Sequence, residues 1–353
     1  MSSICQFTAA NSRRKIDVHA HVLPRDIPNF QKKFGYGGFV TLDHREDGTT
    51  NMMKNEKLFR VVEPNCFDTK ERLKDMDRAK VNVQCLSTVP VMFSYWAKPE
   101  HTDEVSRFVN DDLLAQCQMA PDRLIPLGTM PMNDIPRAIQ ELRRCVSMGF
   151  RGFEIGSHVG EKSLDHKDFW PLYKECEDHG VVIFVHPWDM HSWDGRLTKY
   201  WMPWLVGMPS ETAQAICSVL MGNILLMFPR IRFCFAHGGG AYPIISGRVS
   251  HGYKVRPDLC ATDCSTNPRE LQHQIWTDSL VHDPVALHLL VNTVGKDKVV
   301  LGTDYPFPLG ELEVGKVVED YELFTNDDRN QLLWKNAVDM FRLDENTLYN
   351  RTF

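Results

Sequence analysis

No apolar run in this chain approaches the roughly 20 residues that a helix needs to cross a bilayer. Residues 1–14 lack the apolar centre of a secretory signal, and Ser2 stands where myristoylation would require glycine. A long basic cluster is also missing and the formal net charge is -6, which argues against a nucleic-acid surface as the main business of the molecule. None of the 10 cysteines forms a CxxC pair, Cys260 and Cys264 being the closest two. Cys85, Cys217 and Cys234 sit in apolar stretches and read as small core residues, a usage that suits a reducing compartment. No internal repeat, low-complexity tract or flexible linker is evident. The expectation is a soluble, cytoplasmic protein that does not bind nucleic acid or membrane, with residues 1–14 as a flexible leader and 15–353 as a single domain.

With 353 residues and 43% hydrophobic content, the chain can bury a large core. Its short apolar runs recur in a rhythm: Lys15 to His21, Val83 to Val89, Leu124 to Thr129, Gly152 to Ile155, Val181 to His186, Ile231 to His237, Ile275 to Asp278 and Val299 to Asp304. Amphipathic segments lie between them, including Thr69 to Lys80, Thr102 to Ala120, Ile135 to Met148, Phe169 to His179, Glu211 to Phe228 and Pro284 to Val294. Asp68, Pro136 and the stretch Pro209 to Thr212 supply helix-start signals. Such alternation favours parallel strands joined by helical crossovers. Eight units, with polar residues closing strands one, five, six, seven and eight, fit an α/β fold of the closed (β/α)8 TIM type, whose active site lies where the strands end. A doubly wound open sheet is the alternative, but it would struggle to bring strands one, five and eight to one point. The segment at about 22–66, with Phe34-Gly35-Tyr36-Gly37-Gly38-Phe39, is too long for a βα loop and reads as a small insertion over the barrel mouth, a hairpin in the simplest case. Helices from about Asp327 to Phe341 finish the chain.

The chemistry is concentrated at the strand ends. In Ile16-Asp17-Val18-His19-Ala20-His21 the two histidines are separated by one residue, so on a strand both point to one face and can hold one ion. His186 and Asp304 close two other runs. Any one of these histidines is as readily a capped core residue; three imidazoles and a carboxylate together suit catalytic zinc. Such a zinc acidifies its bound water to a pKa of about 7. His237, followed by Gly238, Gly239 and Gly240, is the candidate acid/base, because glycines let backbone approach a substrate closely; the alternative is a histidine satisfied by backbone in a tight turn. Asp304 is expected to share the proton work. Two-metal barrels of this kind usually carry a bridging lysine at the end of strand four. Here Phe153-Glu154-Ile155-Gly156-Ser157-His158 has none, so one metal per subunit is expected, with Glu154 the residue that could bridge a second ion.

Several longer runs carry a resemblance beyond a metal motif: Val89 to Trp96, His186-Pro187-Trp188-Asp189-Met190, Trp201 to Pro209, His237 to Ala241 and Leu301 to Glu311. In these the chain resembles the 2-amino-3-carboxymuconate 6-semialdehyde decarboxylases, zinc enzymes of the amidohydrolase superfamily. The resemblance implies His19, His21, His186 and Asp304 as zinc ligands and Arg60 as a substrate-carboxylate arginine. It implies Arg248 as a second such arginine, given to the neighbouring site of a homodimer, and Trp201 as an aromatic wall of the pocket. Lys54 is expected to add positive charge nearby. Guanidinium groups suit carboxylates because they donate two parallel hydrogen bonds, although either arginine taken alone is more often a solvated surface residue. The implied reaction is non-oxidative decarboxylation of a dicarboxylate semialdehyde in tryptophan catabolism through kynurenine, limiting quinolinate formation. Rival readings are a related decarboxylase of aromatic acids, a zinc hydrolase and a non-catalytic metal-binding scaffold.

Overall fold

The computed structural model describes residues 14–190 and 195–344; the expected leader, apart from Arg14, lies outside the described residues. In chain order the strands are β1 (Ile16–Val22), β2 (Val40–His44), β3 (Thr50–Lys54), β4 (Lys57–Val62), β5 (Val83–Thr88), β6 (Leu124–Gly128), β7 (Gly152–Gly156), β8 (His158–Val159), β9 (Lys162–Ser163), β10 (Val182–His186), β11 (Arg232–Phe235), β12 (Trp276–Asp278) and β13 (Val299–Val300). The eight apolar runs form one sheet in the order β1-β5-β6-β7-β10-β11-β12-β13. Its neighbours pair in parallel. Val18 N–H donates to Leu301 O at 2.9 Å and Asp304 N–H to His19 O at 2.8 Å, which joins the last strand to the first and closes the barrel. Strands buried on both faces explain why the runs are continuously apolar rather than alternating.

The crossover helices fall close to their expected positions, at Thr69–Ala79, Pro99–Gln118, Ile135–Ser147, Trp170–His179 and Pro284–Val294. Asp68 accepts from Lys70 N–H at 2.8 Å and Asp134 from Arg137 N–H at 3.1 Å, satisfying amides that the first helical turn leaves free. The segment expected as one helix from Glu211 to Phe228 is divided into Met208–Met221 and the single turn Ile224–Met227, with Asn223 in the left-handed region between them. A further helix, Tyr242–Val255, follows His237 and was not foreseen; Pro243, Gly247, Gly252 and its polar residues obscure any helical stripe. At the C-terminus, Asn326–Phe341 is helical with a wider turn at Gln331–Lys335, opened by a capping box between Thr325 and Asp328.

Residues 22–66 form an insertion, as expected, but it is more than a hairpin. Its strands β2, β3 and β4 make a three-stranded antiparallel sheet, and the short helix Phe30–Phe34 packs beside them. The second turn, Asn55-Glu56, has both residues at positive φ (50° and 62°), a tight reversal that the usual glycine does not signal. Phe30, Phe39, Met52 and Val62 form its core together with Val89, Met92 and Phe307 of the barrel face, so the insertion sits at the mouth.

The barrel interior is filled by Ile16, Val18, Val83, Cys85, Ile125, Leu127, Val182, Phe184, Cys234 and Ala236, and Ala337, Met340 and Phe341 of the C-terminal helix pack against the same layer. Between Asp17 and Ala20 the β1–β5 register slips: two residues of β1, Val18 and His19, stand against the single Cys85. This is a bulge, and it changes which face the alternate residues take. Val18 belongs to the interior layer while Ala20 joins the cluster between strands and helices.

Packing is tight where the last strand meets the first. A Cβ at Gly302 would lie 2.6 Å from Asp278 Cβ and 2.8 Å from His19 Cβ. Gly302→Ala is therefore expected to destabilise the fold by about 1–3 kcal/mol, the usual range for overpacking, read from the denaturation midpoint; an unchanged midpoint would contradict this account of closure.

Candidate metal centre and active site

Closure brings together the four residues singled out at the strand ends. One ligand atom from each of His19, His21, His186 and Asp304 lies within 4.8 Å of the other three, and all four residues are buried. His19 Nε2 and His21 Nε2 are 3.1 Å apart, and Asp304 Oδ1 lies 3.0 Å from His21 Nε2 and 3.5 Å from His19 Nε2. Each imidazole is held from behind through Nδ1: His19 by Asp278 Oδ2 at 2.7 Å, His21 by Thr88 O at 3.0 Å and His186 by Pro187 O at 2.6 Å. With Nδ1–H donating to those acceptors, the Nε2 lone pairs are turned toward the common point. His186 Nε2 is buried with no hydrogen-bond partner, as suits an atom that completes its valence on an ion. The donor set fits a divalent transition metal. Among the described residues no second group of three or more such ligands is gathered.

A buried polar scaffold supports this cluster. Asp17 accepts from Thr303 Oγ1 (2.7 Å), Gln84 Nε2 (2.8 Å) and His19 N–H (3.2 Å), and burial pushes its carboxyl up to about 6 against those bonds. Arg72, wholly buried, donates to Gln84 Oε1 at 2.8 Å and to His21 O at 2.5 Å, its guanidinium 4.8 Å from the Tyr305 ring centroid. Asp278 is the hub that sequence reasoning passed over. It closes an apolar run like the others, yet no role was read for it. Its Oδ2 takes His19 Nδ1 and His237 N–H (2.9 Å), and its Oδ1 takes Gly238 N–H (2.7 Å) and Leu280 N–H (3.0 Å).

The electrostatics follow from these contacts. For Asp304, desolvation favours the neutral acid, but the neighbouring His19, His21 and His237 imidazoles outweigh it and hold the carboxyl well below its usual range. Burial likewise opposes charge on His19, yet Asp278 and Asp304 raise its pKa to about 10 in the metal-free protein. Burial dominates for His21 and His186, whose pKa values are shifted downward.

His237 stands beside the cluster, its Nε2 3.9 Å from Asp304 Oδ2 and its ring centroid 4.9 Å from that of His186. Both His237 and Asp304 occupy the left-handed region, at φ 55° and 58°, a strained backbone of the kind that concentrates at functional sites. Beside Asp304 opens a cavity of about 680 Å³ lined by His21, His186, Asp304, Lys54, Arg60, Trp188 and Trp201; His237 is not among its lining residues. Arg60, carried by β4, lies with its guanidinium carbon 4.6 Å from the Phe307 ring centroid. Burial lowers the pKa of the Lys54 ammonium, partly countered by Asp189. Trp201 reaches the cavity rather than the core and is 41% exposed. Glu154 is buried with Oε1 3.7 Å from His21 Nδ1; burial drives its carboxyl well above the usual range, and it is not part of the four-residue cluster. Arg248 is not brought to this cavity: it lies exposed on helix Tyr242–Val255.

Comparison with known proteins agrees with this architecture. The amidohydrolase family model matches residues 16–343. The chain belongs to the amidohydrolase family. Within that family it is 64% identical over 399 aligned residues, 99% of this chain and 100% of the relative, to the 2-amino-3-carboxymuconate-6-semialdehyde decarboxylase of Caenorhabditis elegans. It is 47% identical over 333 residues, 94% of this chain and 92% of the relative, to the protein of the same name from Dictyostelium discoideum. Among solved structures, a dihydroxybenzoic acid decarboxylase from Polaromonas, with bound manganese and the inhibitor 2-nitroresorcinol, shares the fold at TM-score 0.74 and 19% identity, covering 96% of this chain and 99% of its own.

The raised pKa of His19 has a consequence for metal uptake. Between pH 6 and 8 the metal-free His19 carries a proton on the nitrogen that an ion would take, whereas burial shifts His21 and His186 toward their neutral forms. Binding should release one proton, so apparent affinity should rise by about tenfold per pH unit across that window. Calorimetry in buffers of different ionisation enthalpy checks the proton count; affinity independent of pH would contradict it.

Proposed function

We propose that this chain is the zinc-dependent decarboxylase of 2-amino-3-carboxymuconate 6-semialdehyde, yielding 2-aminomuconate 6-semialdehyde without an oxidant. The observation that carries the reading is the 64% identity over 99% of the chain to the nematode decarboxylase of that name, together with a ligand set and a cationic cavity suited to the chemistry. Removing substrate in this way lowers the amount left to cyclise to quinolinate. We place the enzyme in the cytoplasm, in keeping with nine free cysteines among the described residues.

Loss of carbon dioxide from an alkene carbon would leave an electron pair in an in-plane orbital that the conjugated system cannot accept. The carboxylated carbon must first become tetrahedral. His237, at the cluster's edge beside Asp304 and His186, is assigned the proton that enters there; one proton in and one carbon dioxide out leave the electron count unchanged. Asp304 is assigned to hold the His237 imidazole by its carboxylate and to share that proton work. Arg60 would grip a substrate carboxylate with two parallel hydrogen bonds, Lys54 would add a second positive charge, and Trp201 would wall the cavity. One zinc per subunit would be held by His19, His21, His186 and Asp304, and when bound would supply Lewis-acid activation of water or of a substrate oxygen. Arg248 is assigned to the neighbouring cavity of a homodimer. It is exposed and outside its own cavity, on a helix that also exposes Ile244 (73%) and Val255 (55%).

Enzymatically generated substrate, mixed anaerobically with the metal-loaded protein, should lose its absorbance, release carbon dioxide and form less quinolinate. Equal quinolinate with and without protein, or turnover of γ-resorcylate in its place, would overturn the substrate assignment. His237→Ala should lower kcat by about 10²–10⁴-fold, the range for a lost general acid/base, with bound zinc unchanged; near-normal turnover would remove His237 from the proton transfer. Arg60 and Arg248 variants, each impaired, should partly restore activity when mixed as heterodimers, and no rescue in demonstrably mixed dimers would count against sharing.

A further inference from the structure

One carboxylate, wholly buried, joins two parts of the site that the chain builds separately. Asp278 offers four lone-pair directions, and all four are taken by donors at 2.7–3.0 Å: the His19 ring, the His237 amide, the Gly238 amide and the Leu280 amide. Three of these belong to the segments on which the reaction depends. The His19 bond decides which ring nitrogen faces the ion. The His237 and Gly238 bonds hold a turn whose backbone would otherwise relax, since His237 and Gly238 both have positive φ (55° and 59°) and only the second is glycine. Among the described residues Asp278 Oδ2 is the acceptor that serves His19 Nδ1, and a Cβ at Gly302 would lie 2.6 Å from Asp278 Cβ, so the last strand passes close to this side chain.

We propose that Asp278 is a positioning residue that couples the metal site to the proton-transfer group, orienting His19 toward the ion and fixing the His237 turn with the same carboxylate. The inference rests on the reading of His237 as the proton-transfer residue, and it makes Asp278 a determinant of two measurable quantities at once. A residue needed for folding alone would lower the yield of folded protein without singling out zinc affinity and the His237 ring. A residue that served His19 alone would yield an enzyme fully rescued by excess metal.

The test uses the full chain with Asp278→Ala, and with Asp278→Asn as a variant that keeps the volume and one acceptor. Zinc affinity, measured by chelator competition without substrate, is expected to fall about 10–100-fold, the usual cost of removing such a supporting carboxylate. At saturating zinc, kcat should remain at least about tenfold below the parent enzyme with KM little changed. The His237 ring resonance, assigned by its absence from His237→Ala, should move in the zinc-loaded Asp278 variants, whereas His237→Ala itself should bind zinc as tightly as the parent. Asp278→Asn should show the same pattern more weakly if Asp278→Ala does not fold. Zinc affinity equal to that of the parent would overturn the inference, and so would a fully restored kcat with an unmoved His237 resonance. If the parent enzyme itself fails to turn over the proposed substrate, the functional reading falls while the zinc affinity and the His237 resonance still decide the role of Asp278.

Discussion

Asp304 donates its backbone N–H to His19 O at 2.8 Å, and Val18 donates to Leu301 O at 2.9 Å. These bonds hold the last strand of the barrel against the first, and they are what makes a site out of residues drawn from both ends of the chain. Without them His19 and His21 would end one edge of a sheet and Asp304 the other. The interior needed for such close approach is created by Gly302, where any side chain would overlap both His19 and Asp278. The Asp17, Gln84, Arg72 and Thr303 network spans the same seam, so polar groups that would be costly to bury alone satisfy one another there.

The site rests on a division of labour between layers. The lower barrel is a close-packed apolar plug, and the polar groups begin where the strands end, as parallel barrels generally arrange. Each ligand imidazole is backed by a carboxylate or carbonyl, so its orientation is set by the fold before any ion arrives. The insertion adds what the barrel lacks: β3 and β4 carry Lys54 and Arg60 to the mouth, where both line the cavity above the ligand cluster.

Much of this could be read from residue order. Eight apolar runs separated by amphipathic segments specify a parallel α/β barrel because strands buried on both faces must be apolar throughout, and the ligand residues announce themselves by closing those runs. Other features resisted. The insertion reads as a hairpin because Asn55-Glu56 takes a turn that usually contains glycine, and its second reversal is therefore invisible. Helix Tyr242–Val255 hides behind Pro243 and two glycines. Asp278 closes a run as plainly as His186 does, but nothing in one dimension says that its partners include a ring 259 residues away in the chain and the amides of a loop 40 and 41 residues before it.

What the order of residues by itself determined is the kind of chemistry and the kind of scaffold: strand-end histidines and a carboxylate on a barrel whose strands must be buried on both sides. Tertiary structure decided the geometry. A strict two-residue alternation would set Val18 and Ala20 on one face and both histidines on the other; the bulge opposite Cys85 instead lets Val18 pack in the interior just below His19 and His21. That choice depends on hydrogen bonding between neighbouring strands, which no local preference of β1 encodes. For the same reason only the closed barrel could set Asp278 behind His19 and bring Asp304 within reach of His237.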